Sequence, residues 1–170
     1  FMTTFKSYKR NGNNPGDAID FSNRFLSGKL PKGKYATLFY CIFDNRSKKL
    51  HYSCAGHPPG ILIRPSTGTI HHLQTTGMVV GMFETPLLPF ESKEIELVPG
   101  DKVIIYTDGI VEITDRNNEM FNTNNLDKYL SSNASLPIQA LIDGMYDYCL
   151  EAAGKRGFND DVTMVGFEVD

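Results

Sequence analysis

Thr107-Asp108-Gly109 puts a carboxylate where an apolar run gives out into a turn. The run before it, Val103-Ile104-Ile105-Tyr106, has the length and β-branched content of a buried strand. Gly109 lets the chain bend and lets another group approach closely. A carboxylate fixed at such a point suits a hard cation such as Mg²⁺ or Mn²⁺. Taken alone, the tripeptide reads more simply as a turn aspartate capping the next segment, because Asp and Gly dominate turns. A second acidic site changes the balance. Asn159-Asp160-Asp161 precedes the run Val162 to Val169, which alternates as a strand with one wet face does. If the two strands are antiparallel neighbours, the exit of one and the entrance of the other share an end of the sheet. Asp108 and Asp160 could then share a cation.

The elements that must position these aspartates read as follows. Phe1, Met2, Phe5 and Tyr8 fall at helical spacing, so Phe1 to Lys9 is expected as a helix. Asn14 suits the N-cap of a second helix, with Pro15 at its first position and Asp17 in its first turn. Its expected apolar face is Ala18, Phe21, Phe25 and Leu26, and Asn23 is expected to bond locally. The character then changes to β. Tyr35 to Asp44 and Leu50 to Ala55 form an expected hairpin, followed by Ile61 to Arg64, Thr69 to Leu73 and an edge-like strand from Glu91 to Leu97. Val98-Pro99-Gly100-Asp101 turns into the strand that ends at Asp108, with Asp101 as a turn-stabilising acceptor. After a polar loop at 115–119, two helices are expected at about Thr123 to Ser131 and Pro137 to Ala153, with Gly154 ending the second. Segregated runs of strands and helices indicate α+β rather than a doubly wound sheet.

Composition sets further bounds. The 170 residues suit one domain, and 41% hydrophobic residues suffice for a core. A net charge of −3 and a pI of about 5.8 give no support for nucleic acid or an anionic membrane surface as partner. The longest apolar stretches have strand length, and no secretory signal is visible. Cys41, Cys54 and Cys149 lack CxxC spacing and sit among apolar neighbours, so they read as small buried residues in a reducing, cytoplasmic compartment. No G-x-G-x-x-G follows a strand and no Walker lysine is present, which argues against nucleotide sites.

Read in order, Tyr35-Ala36-Thr37-Leu38, Ala55-Gly56-His57-Pro58-Pro59, Gly77 with Gly81, Val98-Pro99-Gly100-Asp101, Tyr106-Thr107-Asp108-Gly109 and Asp160-Asp161-Val162-Thr163 resemble the SpoIIE-like branch of the bacterial PPM-type, metal-dependent serine/threonine phosphatases. The resemblance spans nearly the whole chain. It implies an α-β-β-α sandwich of two antiparallel sheets with helical pairs outside, and two Mn²⁺ or Mg²⁺ ions activating a water against phosphoserine or phosphothreonine. By motif position Asp108 and Asp160 resemble the family's C-terminal metal-binding aspartates, with Thr107, Gly109, Asp161 and His57 in support. His57 reads first as a turn residue packing under its loop, and His71-His72 as incidental. Glu112 lies near the cleft without being a ligand. The family's earlier Gly-Gly-Asp and Asp-x-x-Gly-His-Gly motifs are missing, so the domain is expected to be N-terminally incomplete, to bind metal weakly, and to pair through its open side as a homodimer. The resemblance further implies a phosphorylated STAS-type anti-anti-sigma protein as substrate. The two N-terminal helices, about 1–30, would receive signals from an upstream sensor or dimerisation module, with the cytoplasmic part of a membrane-anchored sensor protein as one setting for the domain. The competing expectation is a catalytically incomplete phosphatase-like module that binds a phosphoprotein or transmits a signal.

Overall fold

A computed structural model describes residues 14–113 and 121–170. The expected helix at Phe1 to Lys9 and the polar loop at 115–119 lie outside the described residues. The chain divides into two compact units, Phe1–Pro59 with Leu73–Leu97, and Gly60–His72 with Val98–Asp170.

In the first unit, α1 spans Pro15–Leu26. Asn14 caps it by accepting from the Gly16 and Asp17 amides, and Pro15 opens its first turn. β1 (Leu38–Asp44) and β2 (Lys49–Ala55) form the expected hairpin, in the register Asp44↔Lys49 to Leu38↔Ala55. β5 (Lys93–Glu96) pairs antiparallel with β2, giving a three-stranded sheet in the order β1-β2-β5 with β5 at its edge, as its charged alternation implies. The core of this unit joins Ile19 of α1 to Ala55, Val80 and Phe90, with Leu26, Leu38 and Tyr40 packed around.

The buried face of α1 differs from the sequence expectation. Ala18, Ile19, Ser22 and Asn23 face inward, while Phe21 and Phe25 are 40% and 38% exposed. Both polar side chains on this inward face have partners. Ser22 donates to the Ala18 carbonyl at 2.8 Å, so its hydroxyl is buried with a partner. Asn23 is no local hydrogen-bonder: it accepts from the Gly81 amide at 2.8 Å and donates to the carbonyls of Phe83 and Glu84 at 2.9 and 3.3 Å. Polar groups so satisfied can be buried at little cost.

In the second unit, β3 (Gly60–Arg64), β4 (Thr69–Leu73), β6 (Lys102–Tyr106) and β7 (Met164–Glu168) form a four-stranded sheet in the order β4-β3-β6-β7. α2 (Thr123–Asn133) packs on α3 (Ile138–Ala153), and α3 packs on β7. Pro137 is the N-cap of α3 rather than a residue of its first turn, and Gly154 ends the helix at φ +61°. The core of this unit gathers Ile61, Ile63, Ile104 and Tyr106 from the sheet with Leu126, Leu130, Leu141, Met145 and Cys149 from the helices. The chain is therefore α+β, with two antiparallel sheets and flanking helices.

Asp101 is fully buried and does more than stabilise its turn. It accepts from the Val98 amide at 2.9 Å and from the Arg64 guanidinium, whose Nε reaches Oδ1 at 3.0 Å and Oδ2 at 3.2 Å and whose Nη2 reaches Oδ2 at 2.7 Å. Its carbonyl accepts from the Val169 amide. The Asp101 carboxylate thus joins β3 to the turn into β6, and its backbone carbonyl holds the residue that follows β7. The three cysteines are free thiols; Cys54 and Cys149 are buried, and Cys41 is half-buried. Burial raises all three, Cys149 to about 12, so they stay protonated and inert near neutral pH.

Candidate metal-binding site

β6 and β7 are direct antiparallel neighbours, with Tyr106 opposite Met164. The exit of β6 and the entrance of β7 therefore lie at one end of the sheet, and Asp108 and Asp160 stand at that end. Thr107 ties the two segments together three times. Its amide donates to the Thr163 carbonyl at 3.0 Å, its hydroxyl donates to the Asp161 carbonyl at 3.0 Å, and the same hydroxyl accepts from the Thr163 amide at 2.9 Å. A second link comes from Asn159, whose amide group donates to the Glu112 carbonyl at 2.8 Å.

Gly109 is required by close approach. A Cβ there would lie 2.7 Å from the Asp161 carbonyl oxygen and 3.0 Å from that of Asp160. Only a hydrogen in that place lets the acidic segment lie against the turn. Gly109→Ala should therefore push the Asp160 segment away and cost about 1–3 kcal/mol, the usual range for overpacking. Urea denaturation checks this, and a loss below a few tenths would show that the segment yields freely.

The turn after β6 is a short 3₁₀ segment, Asp108–Ile110. The Asp108 carbonyl accepts from the Val111 and Glu112 amides, but its exposed carboxylate has no hydrogen-bond or ion partner among the described residues. A capping role would have engaged that side chain. The Asp160 carboxylate is exposed and accepts from the Asp161 amide at 2.7 Å, leaving its second oxygen available. Asp161 contributes its backbone carbonyl to Thr107. Glu112 likewise enters through its backbone. These are hard oxygen donors of the kind Mg²⁺ and Mn²⁺ take. Among the described residues no group of three or more His, Cys, Asp or Glu side chains is placed to hold a metal, so the two aspartates fit only part of a cation's shell.

The other singled-out residues fall elsewhere. His57 contacts its own loop in the first unit. Its Nδ1 lies 2.9 Å from the Pro58 carbonyl, its carbonyl accepts from the Cys54 thiol at 2.9 Å, and its ring is tilted against Phe39. His71 is exposed, but His72 is not incidental: its Nε2 bonds Asp127 Oδ2 at 3.0 Å. Asn159 is the contributor whose role sequence reasoning did not assign, although it stands in the same Asn-Asp-Asp triplet.

A family model, Stage II sporulation protein E (SpoIIE), matches residues 1–170, the full length of the chain. The chain belongs to the SpoIIE family. Protein IcfG of Synechocystis is 33% identical over 150 residues, covering 88% of this chain and 23% of IcfG. Phosphoserine phosphatase RsbU of Bacillus subtilis is 22% identical over 159 residues, covering 94% of this chain and 46% of RsbU. The chain thus spans about a quarter to about half of these relatives' lengths. In fold, this SpoIIE-family chain matches the SiaA-PP2C domain of Pseudomonas aeruginosa with a TM-score of 0.81 at 17% identity, covering 98% of this chain and 66% of that one. The architecture is therefore that of PP2C-type, PPM-fold domains.

Proposed function

We propose that this SpoIIE-family chain is part of a metal-dependent phosphatase acting on phosphoserine or phosphothreonine of a small regulatory protein. The observation that carries the reading is the β6–β7 pairing, which sets Asp108 and Asp160 at one sheet end on backbone joined by Thr107. Those two carboxylates would hold part of a Mn²⁺ or Mg²⁺ site. When bound, such a cation lowers the pKa of a water and neutralises phosphoryl oxygens. The chain's own contribution is rigidity: Thr107, Gly109 and Asn159 hold the two acidic segments in place, so little reorganisation accompanies binding.

The likeness to a phosphoserine phosphatase, RsbU, supports the substrate class. A STAS-type phosphoprotein in partner-switching control of a sigma factor is the substrate the reading favours. Signals would enter through the N-terminal helices from an upstream sensor or dimerisation module, with a homodimer as the assembly and the cytoplasm as the compartment. No helix among the described residues is long and apolar enough to cross a membrane. A second reading, a catalytically incomplete module that docks a phosphoprotein or transmits a signal, draws only on the partial donor set among the described residues.

Activity separates the two readings. The full-length protein should hydrolyse p-nitrophenyl phosphate and a phosphoserine peptide with added Mn²⁺ or Mg²⁺ and stop in excess chelator. Turnover that persists in chelator, or none with any divalent cation, would overturn the phosphatase reading.

A further inference from the structure

The described basic residues of the second unit are few, and two of them are committed elsewhere. Arg64 is held by Asp101, and the almost wholly buried Lys102 lies 3.3 Å from Glu168. Lys128 is exposed on α2. Lys155 and Arg156 stand exposed in the short 3₁₀ segment Gly154–Arg156 that follows α3, five and four residues before Asp160. Lys155 has no hydrogen-bond or ion partner among the described residues. The chain between it and Asp160 is anchored twice. The Phe158 ring lies against Tyr146 of α3, with ring centres 5.4 Å apart, and Asn159 bonds the Glu112 carbonyl. Five residues of chain span at most about 18 Å, so Lys155 is held within that reach of the acidic sheet end.

A cleft of about 740 Å³ opens beside this segment, and its lining includes Asp147, Leu150, Glu151 and Lys155. Leu150 and Tyr146, one turn apart on α3, are 39% and 40% exposed. Apolar side chains bared among charged ones mark surfaces that receive another protein. Asp147 and Glu151 disfavour a uniformly acidic occupant. We infer that the cleft receives the chain flanking the phosphoserine of the substrate protein, with an acidic side chain against Lys155 and an apolar one against Leu150 and Tyr146. Position and charge together name the occupant. A phosphoryl group at Asp108 and Asp160 leaves the substrate residues within about five of it in reach of Lys155. The inference rests on the phosphatase reading above. Lys155 and Leu150 select the substrate and take no part in its hydrolysis.

Two phosphoserine peptides test this in the full-length protein with Mn²⁺. Both carry Leu near the phosphoserine, and they differ only in having Glu or Lys within about five residues on either side. The Glu peptide should show the lower KM. Lys155→Glu should reverse the order, with KM moving several-fold for each peptide and kcat moving less, whereas a merely structural role would slow both peptides together. Lys128→Glu, the same charge change on α2, should keep the original order. Leu150→Ala should raise KM for both peptides alike. Equal KM values for the two peptides, a preference for the Lys peptide, or a reversal that Lys128→Glu also produces would overturn the docking site, and an unchanged KM in Leu150→Ala would overturn its apolar contact. Fluorescence anisotropy of the labelled peptides reads binding without turnover. An unaltered protein that hydrolyses neither peptide with any divalent cation refutes the phosphatase reading, and anisotropy then decides the cleft: a preference for the Glu peptide that Lys155→Glu reverses upholds it, and equal binding overturns it.

Discussion

Asp108→Asn in the full-length protein should lower kcat/KM for p-nitrophenyl phosphate by at least ~100-fold, since changes merely one shell out from a metal already cost 10–100-fold. A ~100-fold loss corresponds to about 2.7 kcal/mol of transition-state stabilisation. The amide keeps one oxygen and the shape of the side chain but loses the anionic charge. The fold should survive, because the Asp108 carboxylate has no partner among the described residues to lose. Unchanged turnover at unchanged Tm would remove Asp108 from the mechanism. A large fall in Tm would instead make it a structural residue.

The largest expected effect on stability lies at Asp101. This carboxylate is fully buried and accepts from both Nε and Nη2 of Arg64 and from the Val98 amide. Asp101→Ala removes the carboxylate that faces the Arg64 guanidinium, whose side chain is only 23% exposed. Removing one partner of a buried pair costs about 3–5 kcal/mol, and the partial exposure of Arg64 places the expectation near ~3 kcal/mol. Urea denaturation should show a lower midpoint at unchanged slope. A loss below ~1 kcal/mol would mean that Arg64 finds water or another acceptor. Asp101→Asn should fall between, because it keeps an acceptor for Val98 or for Arg64 but no charge.

The positions of Asp108 and Asp160 were legible because each stands beside a strand with a strong signature. An unbroken β-branched run ends at Tyr106, and an alternating run follows Asp161. What made them neighbours, the β6–β7 pairing, was available only as a condition, since sequence alone does not state strand order. The bounds of α1 were legible from Asn14 and Pro15, but its buried face was not. Hydrophobicity points to Phe21 and Phe25, whereas the partners that let Asn23 turn inward lie about 60 residues away, at Gly81, Phe83 and Glu84. The bond between His72 and Asp127 was hidden for the same reason, because it spans 55 positions and belongs to no local pattern. Thr107 was marked only by its place beside Asp108. Its hydroxyl serves as donor and acceptor at once, which depends on where β7 begins.

The central claim is that Asp108 and Asp160 bind one divalent cation together. Mn²⁺ titration followed by electron paramagnetic resonance tests it most directly, using the full-length protein, Asp108→Asn, Asp160→Asn and the double variant. Each single substitution should weaken Mn²⁺ binding by ~10-fold or more, and the double variant should lose less than the product of the two, as sites acting on one ion do. Equal Mn²⁺ affinity in all four proteins, or a loss confined to one aspartate, would contradict the shared site.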